Sequence, residues 1–482
     1  MSRPSQNDNG PSGSPFPQHS NQDCGKIHEA SLEILDRVGV RLHLEDAVQL
    51  LKRAGARVVE ENLVQIPFGL VENALDTAPK ELTLHNRDGV PAVLLDGTHS
   101  FFGPGSDCLN ILDHRTGARR KPTLEDAREG VTLCDALPNI DFVMSLLLPT
   151  DVDGTIADRY QMQVMLNSTA KPLIFVAYEF QGCHDAVEML QAVVGGADAL
   201  KNKPMAACYI NVPSGLVHNK DSLRKLLYLS RIGVPSLYIP SSAGGVKSPV
   251  TPAGTVAFDN AGVLVGLVLS QLMQEGAPVI IPGMTGGTFD MQTLVSSYCE
   301  PERTLAHSLA RFYGLPMFGL GGASESKAAD GQAAAEAALT LLVDVLAGSH
   351  LIHDLGYLES GLTFSFTQLL LCDEIVSWIR ALTQHTEVSS RTLAVDVVES
   401  IGPEGQFLDT DHTLDCYRER WYPSLFDRSS YESWVQKGER DVNERAAEKV
   451  DRLVDKHKPA TLPDSIKKDL QCIVDRAGNR AS

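Results

Sequence analysis

Short apolar runs alternate with helical patterns through the middle of the chain. Eight runs end in small or polar residues, and they lie at 100–103, 142–148, 173–178, 205–210, 236–239, 279–281, 317–319 and 350–353. Between most of them, apolar positions recur every three to four residues, as in 159–168, 186–194, 222–232, 261–274 and 301–312. The first interval is irregular, with a hairpin turn predicted at 113–117 and a helix over 123–137. Eight strand–helix units over about 250 residues predict a (β/α)8 TIM barrel, a fold of the α/β class.

The last two strands show the pattern in detail. Apolar pairs repeat every four residues through 333–346, so we predict a helix there. Asp330 is placed to cap its start, and Gly348 is placed to end it. An open doubly wound sheet would also alternate strands and helices. We prefer the barrel because eight units match its closure and because no Gly-x-Gly-x-x-Gly motif opens the first βα turn.

The remaining regions differ from the barrel in composition. Residues 1–22 are rich in Ser, Pro, Asn, Gln and Gly and are predicted to form a disordered tail. Helical patterns within 23–98 predict an N-terminal helical cap, the barrel takes 99–385, and 386–482 form a charged C-terminal helical arm. An appended arm of this kind often packs on a neighbouring subunit, so we expect a homo-oligomer.

Charge and cysteine usage exclude several classes of protein. The 482 residues carry a net charge of -19, which argues against nucleic acid as a partner. The nine cysteines are scattered and contain no Cys-x-x-Cys pair, which indicates a reducing compartment. We find no signal peptide and no uninterrupted apolar run of about 20 residues, so we expect a cytoplasmic protein without a membrane span.

Aromatic and acidic residues recur where the predicted strands and their loops meet. The aromatic residues of this set are Phe101, Tyr178, Phe289, Tyr357 and Phe364, and the acidic ones are Asp107, Glu179, Glu325 and Glu359. Since parallel strands present their carboxyl ends at one edge, these side chains are expected to line one mouth. Ring faces together with carboxylates favour a cationic ligand, and a quaternary ammonium is the kind that cannot donate N–H hydrogen bonds.

Other kinds of site fit the sequence less well. His350 and His353 suggest a metal, but strand positions three apart point to opposite faces, so we expect no metal site. A Schiff-base lysine of a barrel aldolase would have to be Lys171 or Lys247, and neither is placed at the inward-facing end of a strand. The Gly-rich segments 283–287 and 319–322 lack the Gly-Lys-Ser/Thr of a nucleotide loop.

Four separated segments resemble the trimethylamine methyltransferase family. They are Ile27-His-Glu-Ala-Ser-Leu-Glu-Ile-Leu, Gly103-Pro-Gly-Ser-Asp, Gly321-Gly-Ala-Ser-Glu-Ser-Lys and Gly348-Ser-His-Leu-Ile-His-Asp-Leu-Gly-Tyr-Leu-Glu-Ser-Gly. The resemblance implies a barrel that passes a methyl group from an amine to the Co(I) corrinoid (cobalamin) of a separate partner protein. The trimethylamine enzymes of the family carry pyrrolysine, which is absent from this sequence. The resemblance therefore points to relatives that demethylate quaternary amines such as glycine betaine, proline betaine or carnitine.

With this resemblance, roles can be assigned to the mouth residues. We expect an aromatic cage for the ammonium made of Phe101, Tyr178, Phe289, Tyr357 and Phe364. Asp107, Glu179, Glu325 or Glu359 would balance its charge, and Asn211, His350 and His353 would hydrogen-bond a substrate carboxylate. Catalytic roles fall to Glu325, His353 and Glu359, and no cofactor is expected to be bound permanently.

Two other functions fit the same mouth. A protein that binds or senses quaternary amines without reacting would need the same cage and charge. A barrel lyase or aldolase would share the fold but would need a covalent or proton-transferring residue.

Overall fold

Seven parallel strands and one irregular segment stand in a ring in the computed structural model, which describes residues 19–284, 287, 289–293, 295, 297 and 303–481. In chain order they are β1 (Phe101–Pro104), the irregular segment β2 (142–148), β3 (Leu173–Val176), β4 (Ala206–Val212), β5 (Ser236–Pro240), β6 (Val279–Pro282), β7 (Met317–Leu320) and β8 (Leu351–Leu355). All except β2 belong to one continuous sheet in the order β1-β8-β7-β6-β5-β4-β3. Seven of the eight predicted strands coincide with strands of this sheet, and the eighth, 142–148, is an irregular segment with isolated parallel bridges at Val143 and Leu147.

The irregular segment β2 closes the ring between the two ends of that sheet. On one side, the amide of Ile174 in β3 donates to the carbonyl of Val143 at 2.9 Å. On the other side, the amide of Leu146 donates to the carbonyl of Gly105, just beyond β1, at 3.1 Å. These backbone bonds on both sides confirm the predicted barrel.

One helix follows each strand and covers the outside of the barrel. These helices are Leu124–Ala136, Ala157–Ser168, Phe180–Val194, Lys220–Ile232, Pro252–Met273, Thr304–Tyr313, Gly331–Ala347 and Phe366–Thr383, with a short additional helix at Ala197–Asn202. The helix Gly331–Ala347 has the predicted ends: Asp330 accepts a hydrogen bond from the Ala333 amide, and Gly348 adopts a left-handed conformation with φ of 81°. Both ends are therefore specified locally, by residues that satisfy the free backbone groups of the last turns.

The helix Pro252–Met273 is long and apolar enough to cross a membrane. In this fold 83% of its most apolar window is buried inside the protein. It packs against β5, β6 and five other helices, which are Asn21–Arg37, Glu45–Arg53, Phe68–Thr77, Lys220–Ile232 and Thr304–Tyr313. It is therefore a core helix that is apolar on all sides because it is covered on all sides.

The N-terminal region combines helices with short strands. Its helices are Asn21–Arg37, Glu45–Arg53 and Phe68–Thr77, and its strands are Val40–Leu42, Arg57–Val58, Leu63–Gln65, Leu82–His85 and Pro91–Leu95. The last two strands form a hairpin that the sequence analysis did not predict. Leu84, Val93 and Leu95 of this hairpin belong to the apolar cluster that fills the barrel interior. The region is thus a cap that also inserts apolar side chains into the interior of the barrel.

The chain continues past the barrel as a loosely covered arm. Two hairpin strands, Tyr357–Leu358 and Thr363–Ser365, join Asn110–Leu112 and Arg119–Arg120 in a small sheet. The short helices Ser390–Leu393, Val395–Ile401, Asp411–Cys416 and Tyr431–Gln436 contain no buried residue. The two longer helices that follow, Val442–Lys456 and Asp464–Ala481, pack back on the outer helices of the barrel.

Candidate functional site

Strand alternation decides which side chains face the barrel interior. Ala207 and Phe318 belong to the interior apolar cluster, and Tyr209 packs against it. Asn211 lies two residues beyond Tyr209 on β4 and therefore also points inward, closer to the carboxyl end. His353 of β8 faces inward as well, because its ring stacks on Phe318.

Three of these rings form one layer in the interior. The ring centroids of His353 and Phe318 are 4.0 Å apart and stacked, and Tyr209 meets Phe318 edge-on at 5.8 Å. Tyr209 and His353 lie 6.4 Å apart. The layer therefore supplies the π surfaces that a methylated cation prefers.

The hydrogen bonds of His353 indicate the protonation state of its neighbour Asp354. Burial lowers the pKa of His353 to about 4, so the ring is neutral at pH 7. Its Nδ1 is 2.6 Å from the carbonyl of Gly319, and because a carbonyl only accepts, Nδ1 carries the ring hydrogen. Nε2 is then a bare acceptor 3.3 Å from Oδ1 of Asp354. Burial raises the pKa of Asp354 well above its ordinary value, so in the absence of a cation we place a proton on this carboxyl.

A bulge in β8 turns Asp354 toward the interior. Regular alternation would point Asp354 away from the side of His353, but the pairing with β1 shifts register between Ile352 and Leu355. Asp354 itself has a φ of 80°. Opposite it, Gly105 leaves the necessary space, because a Cβ there would lie 2.3 Å from Oδ1 of Asp354. Neighbouring side chains on β8 thus both reach the interior.

A second carboxyl, that of Asp107, lies just beyond the end of β1. Oδ1 of Asp107 accepts hydrogen bonds from Ser145 Oγ and from Gln161 Nε2, each at 2.8 Å. The hydroxyl of Tyr178 lies 3.4 Å from the other end of the same Gln161 amide. Burial raises the pKa of Asp107. Burial, followed by the charges of Asp354 and Asp107, raises the pKa of Tyr209, and of these two carboxyls Asp354 contacts the aromatic layer through His353.

The structure brings together only some of the predicted site residues. Asp107, Tyr178 and His353 contribute to the interior site, and Asn211 lies at its rim. Phe289 and Glu325 lie on the loops that follow β6 and β7, and there Glu325 accepts a hydrogen bond from Ser297 at 2.7 Å.

Glu179 is placed at the rim but is already paired. Its carboxylate lies 2.6 Å from the guanidinium of Arg159, which also binds Asp158 and Asp185. Its charge therefore belongs to a structural ion-pair network around Arg159 and is not free to balance a ligand.

The hairpin after β8 holds three predicted site residues in structural roles. Phe364 is fully buried and packs edge-on against Tyr357, whose hydroxyl donates to the carbonyl of Ser106. Glu359 accepts two hydrogen bonds from Arg119, at 2.8 and 3.2 Å, and another from the Thr363 hydroxyl. The chain turns back immediately after β8, so Phe364 is folded into the packing of the hairpin and the charge of Glu359 is paired with Arg119. Tyr357 lies beside Asp354, because a Cβ on Gly105 would meet both side chains.

Phe101 and His350 lie at the wrong end of the barrel for the expected roles. Both stand at the start of a strand, and the Phe101 amide donates to the carbonyl of His350 at 2.7 Å. Nδ1 of His350 accepts from the backbone amide of Met317 at 3.0 Å. Because parallel strands begin at the amino end, these residues belong to the closed base and not to the mouth.

Four site residues were given no role from the sequence: Tyr209, Phe318, Gln161 and Asp354, of which only Asp354 was noted at the carboxyl end of its strand. Tyr209 and Phe318 share an interior face with predicted residues, so strand alternation alone could have found them. Gln161 comes from the helix Ala157–Ser168, and no local signal marks it. Asp354 was hidden by the bulge.

One cluster outside this site has the spacing of metal ligands. His184, Asp185 and Glu188 place ligand atoms within 4.8 Å of one another on an outer helix. Asp185 is paired with Arg159 and Arg480, and Glu188 is paired with an arginine of the C-terminal helix. Both carboxylates are therefore already neutralised by guanidinium groups.

Comparison with known proteins gives one consistent family. The sequence model described as trimethylamine methyltransferase (MTTB) matches residues 11–481. Trimethylamine methyltransferase MttB of Desulfitobacterium hafniense (strain DSM 10664 / DCB-2) is 32% identical over 461 residues, covering 95% of this chain and 93% of the relative. Glycine betaine methyltransferase of Desulfitobacterium hafniense (strain Y51) is 30% identical over 460 residues, covering 94% and 95%.

Among solved structures, the monomethylamine methyltransferase MtmB of Methanosarcina barkeri has the same fold. It superposes with a TM-score of 0.50 at 14% identity, covering 91% of this chain and 89% of that one. A match of the family over nearly the whole length, on a closed barrel with an aromatic and acidic interior, identifies this chain as a member of the trimethylamine methyltransferase family.

Proposed function

We propose that this enzyme transfers a methyl group from a quaternary amine of the glycine betaine class to the Co(I) corrinoid of a partner protein. The observation that carries the proposal is the barrel interior, where the carboxyl of Asp354 adjoins the aromatic layer through His353. A second carboxyl, Asp107, lies just beyond the end of β1. A quaternary ammonium is held by ring quadrupoles and by net negative charge, and this interior offers both.

The carboxyl end of the barrel is open to an acceptor. Asn211 points into the barrel yet is exposed, and Tyr178 is 37% exposed. At the opposite end, the hairpin side chains Leu84 and Val93 are fully buried in the interior cluster. Amine and partner protein must therefore approach from the same, carboxyl side.

The residues of this chain supply binding and orientation. The Co(I) corrinoid, when docked, supplies the nucleophile that accepts the methyl group. Asp354 and Asp107 hold the nitrogen deep in the barrel, and the rings of Tyr209 and Phe318 contact its methyl groups. One methyl then faces the open end, and the apolar base below keeps water out. A quaternary nitrogen leaves as a neutral amine, so no general acid is required for its departure.

The remaining mouth residues have supporting roles in this proposal. His353 positions Asp354 through Nε2 and stays neutral. Glu325 and Phe289, on the loops after β7 and β6, border the docking side, and Asn211 contacts the uncharged part of the substrate.

The direct test is a demethylation assay with the purified enzyme. Candidate quaternary amines are incubated with a corrinoid protein held in the Co(I) state, and the demethylated amine is measured by NMR. We expect product only when the enzyme is present, and a sharp loss of it with Asp354→Asn. If the enzyme binds the amine but no demethylated product forms although the corrinoid partner is in the Co(I) state, the protein is an amine sensor instead. Covalent trapping of a carbonyl substrate by borohydride would indicate the aldolase.

We further propose that the enzyme is a homo-oligomer assembled through the surface formed by residues 378–435. Its short helices bury no residue, although a helix of this length needs a covered face to be stable. Five aromatic side chains along it are between 40 and 75% exposed: Trp378, Phe407, Tyr417, Tyr422 and Tyr431. At about 200 Å² each they expose roughly 600 Å², against about 800 Å² per partner in a standard interface. Light scattering should show an oligomer that Leu408→Glu with Leu414→Glu dissociates; a monomeric native enzyme would refute this.

We also propose that the enzyme works in the cytoplasm. The eight cysteines in the described part of the chain are free thiols, and six of them are buried. Free thiols of this number persist in a reducing compartment. Fractionation of the source cells, with the protein detected by antibody, tests the location.

A further inference from the structure

We propose that Arg480, on the last helix of the chain, is a positioning residue for Tyr178 at the open mouth of the barrel. The link between them runs through two buried charged side chains, Asp185 and Arg159. The helix Asp464–Ala481 would thus affect amine binding although it packs on the outside of the barrel. This consequence for amine binding rests on the proposed function.

The connection that carries Tyr178 is held by side chains of one neighbouring helix, which follows β2. The amide of Tyr178 donates to Oδ2 of Asp158 at 3.1 Å, and its hydroxyl donates to Oε1 of Gln161 at 3.4 Å. The next residue, Glu179, accepts a hydrogen bond from Nη2 of Arg159 at 2.6 Å. The backbone and the ring of Tyr178 therefore both depend on this helix for their position.

Arg159 alone does not neutralise the carboxylates that surround it. Besides Glu179, it binds Asp158 through Nη1 at 2.9 Å and Asp185 through Nε at 3.2 Å. The side chains of Arg159, Asp158 and Asp185 are at most 3% exposed, so water does not solvate their charges. The side chain of Glu179 is 51% exposed. One positive charge thus faces three negative ones, two of which are buried.

Arg480 supplies a second positive charge to this cluster. Its guanidinium donates to Oδ2 of Asp185, the same oxygen that accepts from Nε of Arg159. In the part of the chain that the structure describes, no third lysine or arginine pairs with Asp185. Because Arg480 shares the charge of Asp185, Arg159 can hold Glu179 at the same time.

The difference in burial decides which contact is lost when Arg480 is removed. A buried carboxylate that loses a cation has no water to replace it, and this leaves an uncompensated charge in the interior. Glu179 is half exposed, so water can solvate it after release. Arg159 would therefore move toward Asp185 and release Glu179 first. The connection after β3 would then be less firmly held, and the ring of Tyr178 with it.

The last helix also offers a matched control for Arg480. Arg476 lies one turn earlier and pairs with Glu188, whose side chain is 37% exposed. In the described residues, no ion pair joins Arg476 or Glu188 to Arg159. Replacing Arg476 thus removes a similar contact of the same helix but leaves the link to the mouth in place.

The first measurement is hydrogen–deuterium exchange, detected by mass spectrometry, on the full-length native enzyme and on Arg480→Ala and Arg476→Ala. For Arg480→Ala we expect exchange in a peptide spanning 177–182 to be roughly threefold to tenfold faster. The effect stays within this range because Arg480 is 40% exposed and water screens part of the pair. Arg476→Ala should exchange at the native rate, and Arg480→Lys, which retains the charge, should stay close to it. Native exchange in Arg480→Ala, or an equal increase in both alanine variants, would overturn the inference.

The second measurement is calorimetric titration of the same proteins with glycine betaine and with tetramethylammonium, in the absence of a corrinoid protein. Arg480→Ala should weaken the affinity by roughly threefold to tenfold through the displaced ring, and Arg480→Lys should recover most of it. In a Tyr178→Leu background, Arg480→Ala should cause no further loss, because the ring on which it acts is gone. A defect that is merely structural would add to the effect of Tyr178→Leu.

The outcomes separate this inference from the function on which its consequence rests. If exchange changes as expected but the folded native enzyme binds neither ligand, the proposed function fails and the link from Arg480 to Tyr178 stands. If the native enzyme binds and Arg480→Ala binds as tightly, the function stands and the inference fails. The inference also fails if Arg480→Ala has its full effect in the Tyr178→Leu background.

Discussion

Replacing Asp354 by asparagine tests the assignment of the site most directly. Asparagine has nearly the same shape and retains a hydrogen-bonding group for His353, but it cannot become negative. A carboxylate about 5 Å from an ammonium gains about 3 kcal/mol at an effective dielectric constant of about 20. That value is an upper limit, because the buried carboxyl must first lose its proton.

Because Asp354 must lose its proton to bind a cation as a carboxylate, the predicted affinity depends on pH. Since burial raises the pKa of Asp354, the unliganded carboxyl is protonated and a bound cation favours the charged form. Binding therefore releases a proton, and affinity increases as pH rises toward the pKa of the free enzyme. Around Asp354, the pKa of His353 is lowered to about 4 and those of Tyr209 and Cys108 are raised above their usual values, so these groups do not titrate between pH 6 and 9.

Calorimetry in buffers of different ionisation enthalpy measures both the affinity for the amine and the number of protons released on binding. For the native enzyme we expect log Kd to fall by up to about one unit per pH unit below the pKa of the free carboxyl, for each proton released. For Asp354→Asn we expect a weaker affinity, by roughly 10- to 100-fold at high pH, and a smaller slope, with Asp107 as the remaining contributor. The reasoning is refuted if the variant, folded by circular dichroism, shows the native Kd and the native slope.

Three further changes examine other parts of the structure. Tyr209→Leu should weaken quaternary ammonium binding by roughly tenfold through the loss of a desolvated cation–π contact, and a titration that shows no change would remove the ring from the site. Gly105→Ala should lower the melting temperature and abolish binding, because the new Cβ would lie 2.1 Å from Cζ of Tyr357; a native melting curve would contradict the packing. Glu359→Gln should cost less than about 1 kcal/mol of stability in denaturant unfolding and leave amine affinity unchanged, since its partner Arg119 is half exposed.

The barrel could be predicted from sequence because its signals are local. Each strand is an apolar run of a few residues. In each helix, apolar residues recur every three to four positions, and this pattern is visible within a short stretch of sequence. Residues such as Asp330 and Gly348 mark the ends of one helix by their own chemistry. Closure then follows from counting eight units, and it does not depend on any single side chain.

The site was only partly predictable because position along the chain does not give two things on which the site depends. These are the end of the barrel at which a residue lies and the side of the strand to which its side chain points. Phe101 and Tyr178 both adjoin predicted strands, yet one begins its strand and the other follows the end of its strand, so they lie at opposite ends of the barrel. Phe364 is aromatic and close in sequence to the mouth, but a hairpin turns it into the core. Asp354 required a bulge with a φ of 80°, and nothing in its flanking residues marks that bulge.

The protonation state of Asp354 also affects the rate of methyl transfer and the release of the product. The positive charge leaves the nitrogen as the methyl group departs. An anion that held the ammonium equally tightly in the ground state and in the transition state would therefore bind the substrate well without accelerating methyl transfer. A carboxyl that is neutral when alone behaves differently. It ionises to receive the cation and recovers its proton once the amine has become neutral, so the site loses its attraction for the product. The burial that raises the pKa of Asp354, and the bare Nε2 of His353 that faces it, are therefore suited to capture a quaternary amine and to release the tertiary one.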